Sequence, residues 1–159
     1  MLDPIAKKAV LRQFTYGLYA VTSAHAGVSN VFTANWLTQV SFEPPMIVVS
    51  VENDSTSLSL IRASARFGVN VFATGQRELA GSLGKPRARV GDKLAALAHV
   101  YSEAGLPILS DALGYAECLI AGELPAGDST LLLGEVVDAR VLREGDSLTM
   151  REAGFRHFG

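Results

Sequence analysis

Cysteine is nearly absent: Cys118 is the only one in 159 residues, so no intramolecular disulfide can form and no thiolate metal site can be built. Histidine is scarce as well. His25, His99 and His157 lie far apart without metal-ligand spacing, so no metal site is expected. No run reaches the ~18 apolar residues that a membrane span needs. The opening Met1-Leu-Asp-Pro-Ile-Ala-Lys-Lys8 lacks an apolar signal stretch, which makes a soluble, cytoplasmic protein the expectation. Charged residues make up only 19%, with a net charge of −2 and no basic tract. Nucleic acid is thereby excluded as a partner, because a phosphate backbone demands clustered Lys and Arg. No catalytic triad, paired-carboxylate signature, internal repeat, low-complexity segment or interdomain linker is visible. The chain is therefore read as a single domain, residues 1–159.

Hydrophobic residues, by contrast, reach 48%, enough for a packed core. The pattern predicts a short helix over 6–14 and a strand over 17–23, closed by a loop holding Gly27 and Asn30. Residues 31–42 are rich in β-branched and aromatic side chains and read as strand segments with one polar face. Glu43-Pro44-Pro45 makes a corner, and Met46-Ile-Val-Val-Ser-Val51 reads as a buried strand. Cap-forming residues at 52–57 precede Leu58, Ile61 and Ala65 at helical spacing. Strand character returns over 67–72, helix over 76–83, loop over 84–91, then strand over 115–122, 130–142 and near 147–150. Cys118 falls in a buried strand. Along 137–141, Val137, Ala139 and Val141 alternate with Asp138 and Arg140, as for one buried and one solvated face. The sum is a mainly β protein, an antiparallel barrel with short helices.

Two segments are polar where a plain barrel would be apolar. In Thr33-Ala-Asn-Trp-Leu-Thr38, Asn35 offers a donor and an acceptor, as the pyrimidine edge of an isoalloxazine requires. Small Ala34 would let a flat ring approach the backbone, and Trp36 could wall it. The competing account is a strand with a packed Trp. In Glu52-Asn-Asp-Ser-Thr-Ser57, free N–H groups and hydroxyls at a helix start suit a phosphate, although ordinary capping explains part of the pattern. One strand joins the two segments, which sets their expected separation at about 20 Å or less. Lys85 could supply countercharge. His25 reads as a turn residue and His99 as lying between an apolar helix and a strand. The aromatic tail, with Phe155, His157 and Phe158, either packs over a neighbour or ligand or is frayed.

Residues 33–46, 49–57 and 67–71, with Gly127-Asp128 and Leu133-Gly-Glu-Val136, resemble the flavin reductase-like FMN-binding split-barrel family. The resemblance implies a homodimeric split barrel binding FMN, or sometimes FAD, near the dimer interface. By position, Thr33, Ala34, Asn35 and Trp36 would line the isoalloxazine. Ser50, Val51, Glu52 and Asn53, with Ser55 and Ser57, would hold the ribityl chain and phosphate, and Lys85 would add charge. Many reductases of the family carry a nicotinamide-contacting histidine after the Gly-Asp pair. Ser129 stands there instead, leaving His157 as a substitute.

The expected function is NAD(P)H:flavin reduction, with electrons passed to a flavin, metal or protein acceptor such as a monooxygenase or redox partner. A flavoredoxin-like FMN electron carrier and a flavin-free binding barrel are the alternatives. The hydride chemistry would belong to the flavin, so no acid–base constellation is needed.

Overall fold

The computed structural model describes residues 1–157. Helix α1 (Pro4–Leu11) starts where Asp3 accepts the Ile5 N–H at 2.8 Å and proline takes the first helical position. It buries none of its residues and lies outside the barrel.

Strands β1 (Tyr19–His25) and β2 (Val28–Ala34) pair antiparallel about Ala26 and Gly27, both at positive φ. Two left-handed residues reverse the chain with the twist a hairpin needs. Pairing therefore resumes at once, and Asn30 sits within β2 opposite Ser23 rather than in the expected loop. Asn35 and Trp36 then turn the chain into β3 (Leu37–Ser41), and the proline corner returns it as β4 (Met46–Glu52). Helix α2 (Thr56–Ser64) and strand β5 (Arg66–Val71) follow, then helices α3 (Arg77–Leu83) and α4 (Arg87–Val90). A small hairpin, β6 (His99–Tyr101) and β7 (Pro107–Leu109), precedes the long pair β8 (Gly114–Ala126) and β9 (Ser129–Val141), and the short helix α5 (Met150–Ala153) follows.

The main sheet runs β2-β1-β5-β8-β9-β4-β3. Its two edges, β2 and β3, are consecutive in the chain and separated by two residues, so the sheet must roll up. The inner faces of all seven strands meet in one apolar cluster that includes Val21, Ala34, Val49, Phe67, Val69, Cys118 and Leu132, with Leu58 and Ile61 of α2 packed into it. A second cluster lies outside the wall, where Ala20, Val31 and Phe72 meet Ala80 and Leu83 of α3 and Met150 and Ala153 of α5. Alternation along β1 explains both: Val21 points in and Ala20 points out.

Four expectations need correction. The 84–91 loop contains a turn of helix, α4, led by Pro86. The β6–β7 hairpin falls in a stretch that carried no strand signal, and the residues before His99 form turns rather than a helix. Residues 147–150 do not form a strand; Ser147 and Thr149 make isolated bridges to Ala73 and Gly17, and Met150 begins α5. The expected buried face of 137–141, in β9, is also open: Val137 is 47% exposed and Val141 87%. Val137 is skipped in the pairing, since Glu117 faces Asp138 while Cys118 faces Val136. This bulge breaks the alternation.

No helix among the described residues is long and apolar enough to cross a membrane.

Candidate functional site

The corner between β2 and β3 is polar because of strand alternation. Thr33 points outward and donates its hydroxyl to the Ala80 carbonyl of α3. Ala34 points inward and is 4% exposed, so any close approach to a flat ring at this position uses its backbone alone. Asn35 is buried; its amide donates to the His157 carbonyl at 3.1 Å and contacts the Met150 sulfur at 3.3 Å. Trp36 is exposed, with its ring centroid 5.4 Å from that of His157.

The two polar segments lie within the expected distance of about 20 Å, and closer than a full strand length. The Ser50 N–H donates to the Trp36 carbonyl at 3.0 Å, and Leu37 pairs with Val49. Because β3 and β4 form a hairpin, the end of β4 returns to the start of β3. The segments are neighbours.

Within 50–57 the side chains divide by direction. Val51 is buried in the barrel, leaving only its backbone for a ligand, while Glu52 is exposed. Asn53 holds the β8–β9 turn: its N–H donates to Asp128 O at 3.0 Å, its amide to Gly127 O at 3.2 Å, and its Oδ1 accepts from Thr130 at 2.8 Å. Its side chain is thus committed to positioning that turn. Ser55 is the N-cap of α2 and accepts the Leu58 N–H at 3.2 Å. Ser57 corrects the expected role of its hydroxyl: the side chain turns inward, is 1% exposed, and accepts from Asn30 at 3.0 Å and Ser23 at 3.4 Å. Asn30 Oδ1, on the same amide, is buried without a partner among the described residues.

A phosphate acceptor nevertheless remains. The first-turn N–H groups of Thr56 and Ser57 lie outside the helical ladder, and the dipole favours an anion there. Thr56, exposed at the first helical position, is the hydroxyl that the sequence reading passed over, although it stands within the run of cap formers. Lys85 is exposed, and the preceding Gly84 brings its loop against β2: a Cβ built there would be 3.9 Å from the Thr33 Cβ. The donor set therefore fits a flavin mononucleotide, with amide and aromatic groups at the corner and N–H, hydroxyl and ammonium groups for a phosphate.

The tail closes this face. Phe155 N–H donates to Met150 O at 3.2 Å, Arg77 Nε donates to Ala153 O, and the Arg77 guanidinium lies 5.7 Å from the Phe155 ring centroid. A Cβ on Gly81 would stand 3.3 Å from the Phe155 ring. Phe158 lies outside the described residues. Arg77 and Met150 had no sequence signal, since only the tertiary fold brings them to the tail.

Ser129 is buried and donates to the Asp128 carboxylate at 3.2 Å. His25 ends β1 and is exposed, and His99 heads β6, where its Nδ1 lies 2.7 Å from the Leu97 carbonyl. The described residues hold no group of three His, Cys, Asp or Glu suited to a metal ion. Cys118 is fully buried, and desolvation together with nearby Glu117 pushes its thiol up to about 12.

Residues 11–159 match the flavin reductase like domain model. The chain is 35% identical over 144 residues to the high molecular weight rubredoxin of Moorella thermoacetica, covering 87% of this chain and 62% of that protein. It is 31% identical over 157 residues to the reductase component of the 4-nitrophenol 4-monooxygenase/4-nitrocatechol 2-monooxygenase of Rhodococcus opacus, covering 99% and 82%. A Streptomyces globisporus C-1027 structure, the NADH:FAD oxidoreductase SgcE6, superposes with a TM-score of 0.84 at 27% identity, covering 100% of this chain and 96% of that one. The chain spans less than two thirds of some curated relatives, including 43% of a Rhizobium meliloti probable flavin reductase. With the barrel, the converging corner and the match over nearly its whole length, the chain belongs to the flavin reductase like domain family, built on the split-barrel fold.

Proposed function

We propose that this protein is an NAD(P)H:flavin reductase that holds FMN across the β2–β3 corner and the start of α2. The observation that carries the reading is the Ser50–Trp36 hydrogen bond, which brings the end of β4, leading into α2, against the β2–β3 corner. FMN, when bound, supplies the hydride-accepting and electron-donating chemistry. Asn35 and Trp36 orient the ring, the backbone of Ser50 and Val51 lines its approach, and Ser55, Thr56 and the α2 N–H groups take the phosphate. Lys85 adds positive charge. FAD is the variant ligand, as the SgcE6 name indicates for that protein. His157, its ring tilted against Trp36, would support the nicotinamide side in place of Ser129.

The working unit is a homodimer in the cytoplasm, covering the exposed apolar surface of Val40, Phe42, Val137 and Val141. A recess of about 330 Å³ at the barrel's open end, lined by Tyr19, Leu37, Ile47, Val69 and Val141, adds to that surface. Electrons would pass to a flavin, a metal or a protein acceptor, with a monooxygenase as the leading partner.

A second reading, an FMN electron carrier reduced by a protein, draws on the buried Ser129 and on the similarity to the Moorella protein. One experiment separates the readings: a visible spectrum of the FMN-loaded protein before and after anaerobic addition of NADH or NADPH. Bleaching supports the reductase. A stable oxidised spectrum transfers the role to the carrier, and failure to take up FMN leaves a flavin-free barrel.

A further inference from the structure

Helix α3 ends at Leu83, where the Gly84 and Lys85 N–H groups take the Ala80 and Ser82 carbonyls and the Leu83 carbonyl is left to an outside donor. Lys93, ten residues further on, reaches back with one ammonium to two of the carbonyls there: Nζ donates to Leu83 O at 2.8 Å and to Lys85 O at 2.9 Å. The two acceptors straddle Gly84, the residue whose backbone lies against Thr33. A cation at the negative end of a helix is favourable, and bridging both sides of a turn fixes the turn's path.

We propose that Lys93 is a positioning residue for flavin binding, its ammonium clamping the Leu83 and Lys85 carbonyls so that the Gly84–Lys85 loop stays against the β2–β3 corner. The proposal rests on the FMN site described above. Lys93 touches no ligand itself and acts through Lys85.

The surroundings make this clamp sensitive to pH. Lys93 is half-buried, and desolvation, followed by repulsion from Arg87, lowers its ammonium to about 8. The neighbouring Asp92 does not offset this fully. Its carboxylate accepts the Leu94 N–H at 3.0 Å and lies 3.8 Å from Arg87. The Lys85 ammonium projects from the same loop, while His99 and Tyr101 share a small cleft with Arg87 and Asp92. A phosphate arriving beside Lys85 favours the protonated clamp, so affinity must fall as pH rises through about 8. The phosphate itself is already close to doubly charged above pH 7, since its second ionisation lies near 6.

The test is an FMN titration at pH 7 and pH 9 with the wild type, Lys93→Arg, Lys93→Met and Lys85→Met, each checked for folding by circular dichroism. Loss of two charge-assisted hydrogen bonds should weaken FMN binding by Lys93→Met about tenfold at pH 7. The wild type should lose roughly threefold or more in affinity between pH 7 and 9, whereas Lys93→Arg, which cannot deprotonate there, should keep the pH 7 affinity at both. Wild-type affinity in Lys93→Met, or an unchanged pH slope in Lys93→Arg, overturns the proposal. If Lys93→Met does not fold, the Lys93→Arg slope decides. Unchanged binding by Lys85→Met removes the phosphate role of the loop, and the proposal falls with it. Weakened Lys85→Met beside unaffected Lys93 variants removes Lys93 alone.

Discussion

The Asn35 side-chain amide donates to the His157 backbone carbonyl at 3.1 Å, tying a strand corner to a residue 122 positions later. With Trp36 beside the His157 ring, the tail lies directly on the group proposed to face the isoalloxazine. Truncation after Ala153 should therefore expose Trp36 further, seen as a red shift in its fluorescence. Flavin reduction by NADH should slow while FMN binding stays largely intact. Equal stopped-flow rates in the truncated and full chains would remove His157 from the hydride step.

Ser55 and Ser57 should behave differently despite their spacing. Ser57→Ala strands the buried Asn30 amide and should cost about 1–3 kcal/mol in denaturant unfolding, with little change in the FMN affinity of the folded protein. Ser55→Ala loses an N-cap worth about 1 kcal/mol and also weakens FMN binding. Equal effects of the two substitutions on FMN affinity would return the Ser57 hydroxyl to the phosphate site.

Phe42, 90% exposed, and Val141 offer the sharpest test of self-association. Wild-type protein should sediment at about twice the 16.9 kDa chain mass, and Phe42→Glu with Val141→Glu should shift it toward the monomer. A wild-type mass near 17 kDa across micromolar concentrations, with flavin bound, would discard the dimer.

Cys118 supplies an alkaline signature. Its thiol rises from 9.0 to about 12 on folding, so between those values the folded state holds a proton that the unfolded state releases. Stability must fall as pH rises above 9. Cys118→Ala should reduce that slope in pH-dependent unfolding, and the native thiol should resist Ellman's reagent until the chain unfolds. Rapid labelling under native conditions would contradict its burial.

Strands β4 and β5 were legible because composition alone marks them, although in β4 only Val49 and Val51 are buried rather than the whole run, and the Glu43-Pro44-Pro45 corner marks its own turn. The β6–β7 hairpin was not legible: three-residue strands leave too short a pattern to register, and their pairing depends on packing around Leu106 and Ile108. The corner residues Asn35 and Trp36 were visible by their chemistry. What the sequence could not convey was direction. Ser57 reads like Ser55 in the chain, and only the helix's rotation against β1 and β2 turns one hydroxyl inward. The bound of about 20 Å between the polar segments was met, and the antiparallel pairing of β3 with β4 brings them closer still.

The seven-stranded sheet closes at a place where its first and last strands are tethered by only Asn35 and Trp36. A cylinder with such a seam opens there before it opens elsewhere, as a zip parts at its slider. A molecule bridging the seam would act as a fastener, so ligand occupancy and barrel integrity become one equilibrium. Amide exchange at Ser50, whose N–H holds the carbonyl of Trp36 in the tether, would then report both.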